Sequence, residues 1–141
     1  MADLDLSDDS MCFCCGSRNP DGLGLRFSYD GEEVSTTVSF PKRFQGYRDI
    51  VHGGLLSTVL DEVMVTLLIK MGELAATAEL RVRFLKPLRV DEPIEVRAWL
   101  LERRGRVFRV AAAATLLDGT EIATAESTCV SVGPADAGRS D

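Results

Sequence analysis

The stretch "DIVHGGLLSTVLDEVM", residues 49–64, decides how this chain folds. It holds the only histidine among 141 residues, His52, followed by Gly53 and Gly54. Beyond them Leu55, Leu56, Val59, Leu60, Val63, Met64, Leu67 and Leu68 recur at three- and four-residue spacing, which predicts a helix with a broad apolar face. The run lasts to Met71 and ends at Gly72, a residue suited to the left-handed position past a helix C-terminus. At about 1.5 Å per residue the helix is roughly 28 Å long. Apolar side chains over that width imply a helix wrapped by other structure. Two adjacent acids, Asp61 and Glu62, interrupt the run.

Outward from the helix the period changes. Upstream, "LGLRFSYD" (23–30) and "EEVSTTVSF" (32–40) read as extended segments around an Asp30-Gly31 hairpin signal, and "PKRFQGYRD" (41–49) as a loop. Downstream, Leu80, Val82 and Phe84 share one strand face, with Glu79, Arg81 and Arg83 on the other. Ile94, Val96, Ala98 and Leu100 alternate with Glu95, Arg97 and Trp99, and two more strands follow around a second hairpin signal, Asp118-Gly119. Two strands, one long helix and four long strands make an α+β domain. A single helix can bury so much apolar surface only if a mostly antiparallel sheet curls around it. Pairing through an edge strand would cover the open edge of that sheet. The domain is expected over 11–132, with flexible polar ends at 1–10 and 133–141.

Composition excludes several functions. The chain is 45% hydrophobic and 27% charged with a net charge of -6, and its basic residues are scattered. Nucleic acid is therefore not an expected partner, since phosphate binding needs a concentrated basic footprint. Asp61, Glu62 and Lys70 break the longest apolar stretches, so no membrane span is expected. The opening "MADLDLSDDS" lacks a signal-peptide pattern, and the expected location is the cytoplasm. Cys12, Cys14 and Cys15 crowd into "CFCC", with Cys129 alone near the far end; in a reducing compartment these read as thiols rather than a disulfide framework. Cys12 and Cys15 form a C-x-x-C, half of a zinc site, but the sequence offers no second half, and a dimer pooling two halves is nowhere demanded. No metal and no cofactor are assigned. A cysteine nucleophile is disfavoured because no base lies nearby in sequence.

The helix start carries its own chemistry. Its first turn has unpaired backbone N–H groups and a positive dipole end. Glycines there let a ligand approach the backbone, so Gly53 and Gly54 suit a carbonyl oxygen that gains negative charge in a transition state. Asp61, two turns on and at four-residue spacing from Ser57, sits among Leu60, Met64 and Val65. Partial desolvation there makes a carboxylate a better base or nucleophile. A carbonyl trap plus a buried acid suits acyl transfer. The bland alternative is a capping histidine, a tight entry turn and an acid facing a solvent gap.

Pro41, Gly46, Val51-His52-Gly53-Gly54 and Asp61-Glu62, within this order of elements, resemble the hotdog-fold thioesterases of the phenylacetic-acid and 4-hydroxybenzoyl-CoA types. The leader "CGSRNPDGLGLRF" resembles their common opening, and the likeness spans roughly residues 12–132. It implies hydrolysis of aryl or medium- to long-chain acyl-CoA thioesters to free acid and coenzyme A. Asp61 then acts as nucleophile or general base, the Gly53 N–H polarises the carbonyl, His52 orients the thioester end and Gly54 closes the turn. Thr77, found by counting back from Pro87, positions the water. The family's acid faces the HGG turn of another subunit, which implies an obligate homo-oligomer, a dimer or dimer of dimers, with sites at the interface.

Many relatives carry Asn or Gln six residues before the motif histidine. Gly46 stands there, so Gln45 is the candidate replacement. Glu62 is a second acid, but one residue turns a helix by about 100°, so Asp61 and Glu62 cannot address one carbonyl; Glu62 is expected in solvent or an ion pair. Arg83, Lys86, Arg103, Arg104 and Arg106 are candidates to meet the coenzyme A phosphates, and Met64, Leu68 and Phe84 to accommodate the acyl group. The alternatives are a non-catalytic acyl-CoA-binding hotdog module and a hotdog dehydratase or hydratase. His52 preceding Asp61 counts against the last.

Overall fold

A computed structural model describes residues 5–135; residues 1–4 and 136–141, parts of the two expected flexible ends, lie outside the described residues. The elements run β1 (Ser28–Tyr29), β2 (Glu33–Val38), a 3-10 turn (Lys42–Phe44), α1 (Gly53–Lys70), β3 (Glu73–Phe84), β4 (Ile94–Arg104), β5 (Val107–Leu116) and β6 (Glu121–Pro134). The six strands form one sheet in the order β1-β2-β4-β5-β6-β3, every neighbouring pair antiparallel. α1 packs across this sheet from β2 to β3. One helix held in an antiparallel sheet is the architecture expected.

The helix and sheet meet through residues that the two periods select. Leu56, Val59, Leu60, Val63, Met64, Leu67 and Leu68 of α1 are buried. They face alternate positions of each strand: Val34, Thr36 and Val38; Ile94, Val96 and Ala98; Phe108, Val110, Ala112 and Ala114; Ala123, Ala125, Ser127 and Cys129. The alanines keep parts of the sheet surface low and leave room for the leucines of α1. Each fully buried Leu or Val contributes about 1.5–3 kcal/mol, so the interlayer dominates stability. Met64 and Leu68 are fully buried there and belong to the core rather than to a substrate cavity.

Both hairpin signals form turns. Asp30 Oδ1 accepts from the N–H groups of Glu32 and Glu33 at 2.8 and 2.7 Å, with Gly31 at φ 96°. Asp118 Oδ1 accepts from the Thr120 N–H at 2.9 Å, with Gly119 at φ 94°. α1 stops where expected, with Gly72 at φ 91°. The first extended segment is a difference, because only Ser28–Tyr29 joins the sheet. Residues before it turn to the cysteine-rich leader instead: Leu23 and Leu25 donate N–H bonds to the carbonyls of Phe13 and Cys14, both at 2.9 Å.

β3 carries the feature that shapes the site. Its register with β6 runs Thr77↔Cys129 and then Glu79↔Thr128, leaving Ala78 unpaired in a bulge. The extra residue switches which side chains face inward. Before it Ala75 and Thr77 oppose the buried Ser131 and Cys129; after it Leu80, Val82 and Phe84 oppose Ser127, Ala125 and Ala123. The expected face of Leu80, Val82 and Phe84 is correct, yet Leu80 is 37% and Phe84 54% exposed. β3 is an edge strand of twelve residues paired only with β6, whereas the opposite edge, β1, has two.

Candidate active site

The site is assembled from the two ends of the α1–β3 contact. Thr77, beside the bulge, donates its hydroxyl to Asp61 Oδ1 at 2.8 Å. Its oxygen also lies 3.9 Å from the Cys129 sulfur. Asp61 and Thr77 are both half-buried, so the carboxylate is shielded on the sheet side without being sealed. Sequence and structure thus bring Asp61 and Thr77 together. Ser57, at helical spacing from Asp61, is engaged elsewhere: its hydroxyl donates to the Gly53 carbonyl at 2.9 Å.

The helix start is organised by His52. It is the N-cap, and its Nδ1 accepts from the Gly54 N–H at 2.9 Å. Nδ1 is therefore the unprotonated nitrogen, and a ring proton sits on Nε2. The cap commits the Gly54 N–H and leaves that of Gly53 with no partner among the described residues. Both glycines are places of close approach. A Cβ on Gly54 would lie 3.1 Å from His52 Nδ1, and one on Gly53 would lie 3.3 Å from the Phe84 ring. An open cleft of about 300 Å³ begins at Gly53, lined by Tyr47, Ile50, Phe84, Lys86 and Leu88 among others.

The remaining predicted residues divide. Gln45 lies on the loop before the helix, and its Oε1 accepts from the Asp49 N–H at 2.9 Å and from Lys42 Nζ at 3.2 Å. Its amide thus closes that loop. Gly46 is the position packed on His52, where a Cβ would stand 3.4 Å from the His52 Cα. Among the arginines, Arg103 pairs with Glu73 at 3.1 Å and Arg104 with Glu102 at 2.7 Å, whereas Lys86 is exposed and borders the Gly53 cleft.

Glu62 points away from Asp61's partner. Its Oε1 accepts from the Cys15 thiol at 3.2 Å and lies 3.7 Å from the Cys12 sulfur. The expected solvated or ion-paired acid is instead half-buried against the leader. Burial, reinforced by the Glu62 charge, pushes the Cys14 and Cys15 thiols well above their usual range. Neither is suited to nucleophilic attack at neutral pH.

Within one chain Asp61 and Gly53 are eight positions apart on α1, about 12 Å along the axis. The N–H donor and the acid of one chain therefore cannot flank a single carbonyl group. No helix among the described residues is long and apolar enough to cross a membrane.

Comparison with known proteins agrees with this architecture. A hypothetical thioesterase protein of Streptococcus pneumoniae TIGR4 with coenzyme A superposes with a TM-score of 0.75 at 18% identity, covering 79% of this chain and 88% of that one. A Streptococcus mutans UA159 protein bound to acetyl-CoA gives 0.75 at 19% identity, over 79% and 91% of the two chains. The E. coli PaaI protein of the phenylacetic acid degradation operon gives 0.75 at 15% identity, over 80% and 83%. No curated protein matches the sequence. The sequence profile of the thioesterase superfamily matches residues 49–123, from the loop before α1 into β6, and the chain belongs to that superfamily, in its hotdog fold.

Proposed function

We propose that this protein hydrolyses acyl-CoA thioesters, aryl or medium- to long-chain, to the free acid and coenzyme A. The observation that carries the reading is the hydrogen bond from Thr77 to Asp61, which orients the acid and keeps a hydroxyl beside it to position an attacking water. Asp61 either attacks the thioester carbon itself, giving a mixed anhydride that water then hydrolyses, or takes a proton from the water that attacks that carbon and returns it to the leaving sulfur. The C–S bond breaks and the coenzyme A thiol leaves. The uncommitted Gly53 N–H, at the positive end of α1, stabilises the oxyanion that forms on the way. His52 fixes that turn by capping it, and Gly54 admits the cap.

The 12 Å between these groups along α1 requires a second subunit, whose Gly53 turn faces the Asp61 of the first. An edge of twelve residues, with Leu80 and Phe84 half exposed on its inner face, is where such a copy would bind. Coenzyme A and acetyl-CoA bound to the streptococcal relatives support the choice of thioester. Among the basic candidates, Lys86 borders the Gly53 cleft, which supports it as a contact for a coenzyme A phosphate.

The test is coenzyme A release from a panel of aryl-CoA and short-, medium- and long-chain acyl-CoA thioesters, with the protein's own thiols subtracted. Turnover on one class supports the reading. Tight binding of a panel member without turnover would make the protein an acyl-CoA-binding module, and hydration of an enoyl-CoA would make it a hydratase.

A further inference from the structure

Three groups outside the active site converge on one point. The Cys12 and Cys15 sulfurs lie 3.7 and 3.2 Å from the same oxygen, Glu62 Oε1, and the three atoms are all within 4.8 Å of one another. Each of the three residues is half-buried, close enough to the surface for an ion to enter. The loop that presents the thiols is tightly made. Gly16 N–H bonds back to the Cys12 carbonyl at 2.9 Å, and the Cys14 N–H points at the Cys12 sulfur at 3.4 Å. A side chain on Gly16 would collide with backbone, its Cβ 2.4 Å from the Cys12 nitrogen and 2.6 Å from the Ser10 carbonyl oxygen. Only glycine fits directly after Cys15 in this turn.

The distances match a shared metal ion. With Zn–S of about 2.3 Å and Zn–O of about 2.1 Å, tetrahedral angles put sulfur about 3.6 Å from oxygen. The two observed separations bracket that value. Among the described residues no lysine, arginine or histidine pairs with Glu62, whose partners are the two thiols. Two thiols and a carboxylate aimed at one point, without a cationic side chain, are a ligand set that a cation completes. Thiolates select a borderline-soft ion such as Zn²⁺ over Mg²⁺ or Ca²⁺.

We infer that Cys12, Cys15 and Glu62 bind one zinc-class divalent cation per chain, with a water in the fourth position. Binding releases the two thiol protons and leaves both sulfurs as thiolates. The ion ties the leader to the middle of α1, one residue past Asp61, and so serves as a staple rather than as part of the thioester chemistry. The site needs neither a second subunit nor any thioesterase activity.

The experiment uses the full chain, reduced and stripped with a chelator, then titrated with Co²⁺ and with Zn²⁺. The expected result is saturation at one ion per chain, with sulfur-to-cobalt charge-transfer absorption and visible bands of tetrahedral intensity, both displaced by Zn²⁺. Cys12→Ser should abolish the charge-transfer band or reduce it sharply. Glu62→Gln, which keeps every thiol, should weaken binding at least about 10-fold, the least that even an outer-shell partner's loss costs. Thermal unfolding of each apo variant shows whether it is folded, and Zn²⁺ should raise the transition of the wild type more than that of either variant at the same concentration. The absence of cobalt absorption in the reduced wild type overturns the proposal. So does an unchanged affinity and spectrum in Glu62→Gln, or air oxidation of Cys12 and Cys15 to a disulfide that proceeds equally fast with Zn²⁺ present.

Discussion

Asp61 and Glu62 are adjacent on α1, yet Asp61 accepts a hydroxyl from β3 at 2.8 Å while Glu62 accepts a thiol from the leader at 3.2 Å. The 100° turn between neighbouring helical positions separates the two acids physically and chemically. Asp61 borders the bulge of β3, where a strand irregularity re-aims a side chain. Glu62 has no route to that place.

The first prediction concerns Thr77. Thr77→Val keeps the shape and removes the donor, so Asp61 loses its orienting bond. The turnover number should fall, by less than for loss of Asp61 itself, with the KM for the preferred thioester nearly unchanged. Steady-state kinetics separates the two parameters; an altered KM alone would make Thr77 a binding residue.

At the helix start, Gly53→Pro removes the one N–H that the His52 cap leaves free. Proline is well tolerated at the first helical position, so the fold should survive. Loss of such a donor costs about 10²–10³ in turnover. Kinetics beside a thermal melt checks this, and an active, well-folded variant would place carbonyl polarisation elsewhere.

His52→Ala removes the cap on Gly54 and should cost about 1 kcal/mol of stability. His52→Asn, with its own capping oxygen, should recover most of it. Urea unfolding of the three proteins gives the comparison. Equal midpoints would show that the imidazole is not holding the turn.

Assembly and activity should be lost together. Leu80→Glu combined with Phe84→Glu places two charges on the exposed inner face of the β3 edge. Sedimentation should show the wild type as a dimer or dimer of dimers and the variant as a smaller species without turnover. An active monomer would refute the shared site.

The turn at Asp118 has a pH signature. Hydrogen bonds from Thr120, its hydroxyl foremost and then its backbone N–H, hold the Asp118 carboxyl below its ordinary 3.8. A carboxyl lowered on folding stabilises the fold above its unfolded value, and that contribution is lost as pH falls through the folded one. Asp118→Ala should therefore melt below the wild type at pH 6, with the difference shrinking once pH drops under about 3.8.

Local signals predicted most of the fold. The Leu–Val periodicity from Leu55, the two Asp-Gly turns and the alternation through Ile94–Leu100 each act over a few residues, and each appears where expected. The 23–27 segment lies outside the sheet because its partner is not another strand but the backbone of Phe13 and Cys14, which no alternation encodes. At the site, the pairing of Asp61 with Thr77 was reachable only through the resemblance. The bulge at Ala78 leaves no pattern of its own beyond the phase change from Ala75 to Leu80. The cysteine–Glu62 cluster was invisible because 47 and 50 residues separate its partners, and nothing local sets that contact. Gln45 shows the opposite case. Its adjacency to the expected position suggested a substrate contact, while its amide is engaged by Lys42 and Asp49.

The central claim is that Asp61 carries out thioester hydrolysis, and Asp61→Asn tests it most directly. Coenzyme A release on the preferred thioester is measured for the variant and the wild type, both shown to be folded oligomers. Turnover should fall by about 10²–10⁴, the usual worth of a positioned acid–base group. Near-normal turnover in a folded Asp61→Asn oligomer would contradict it.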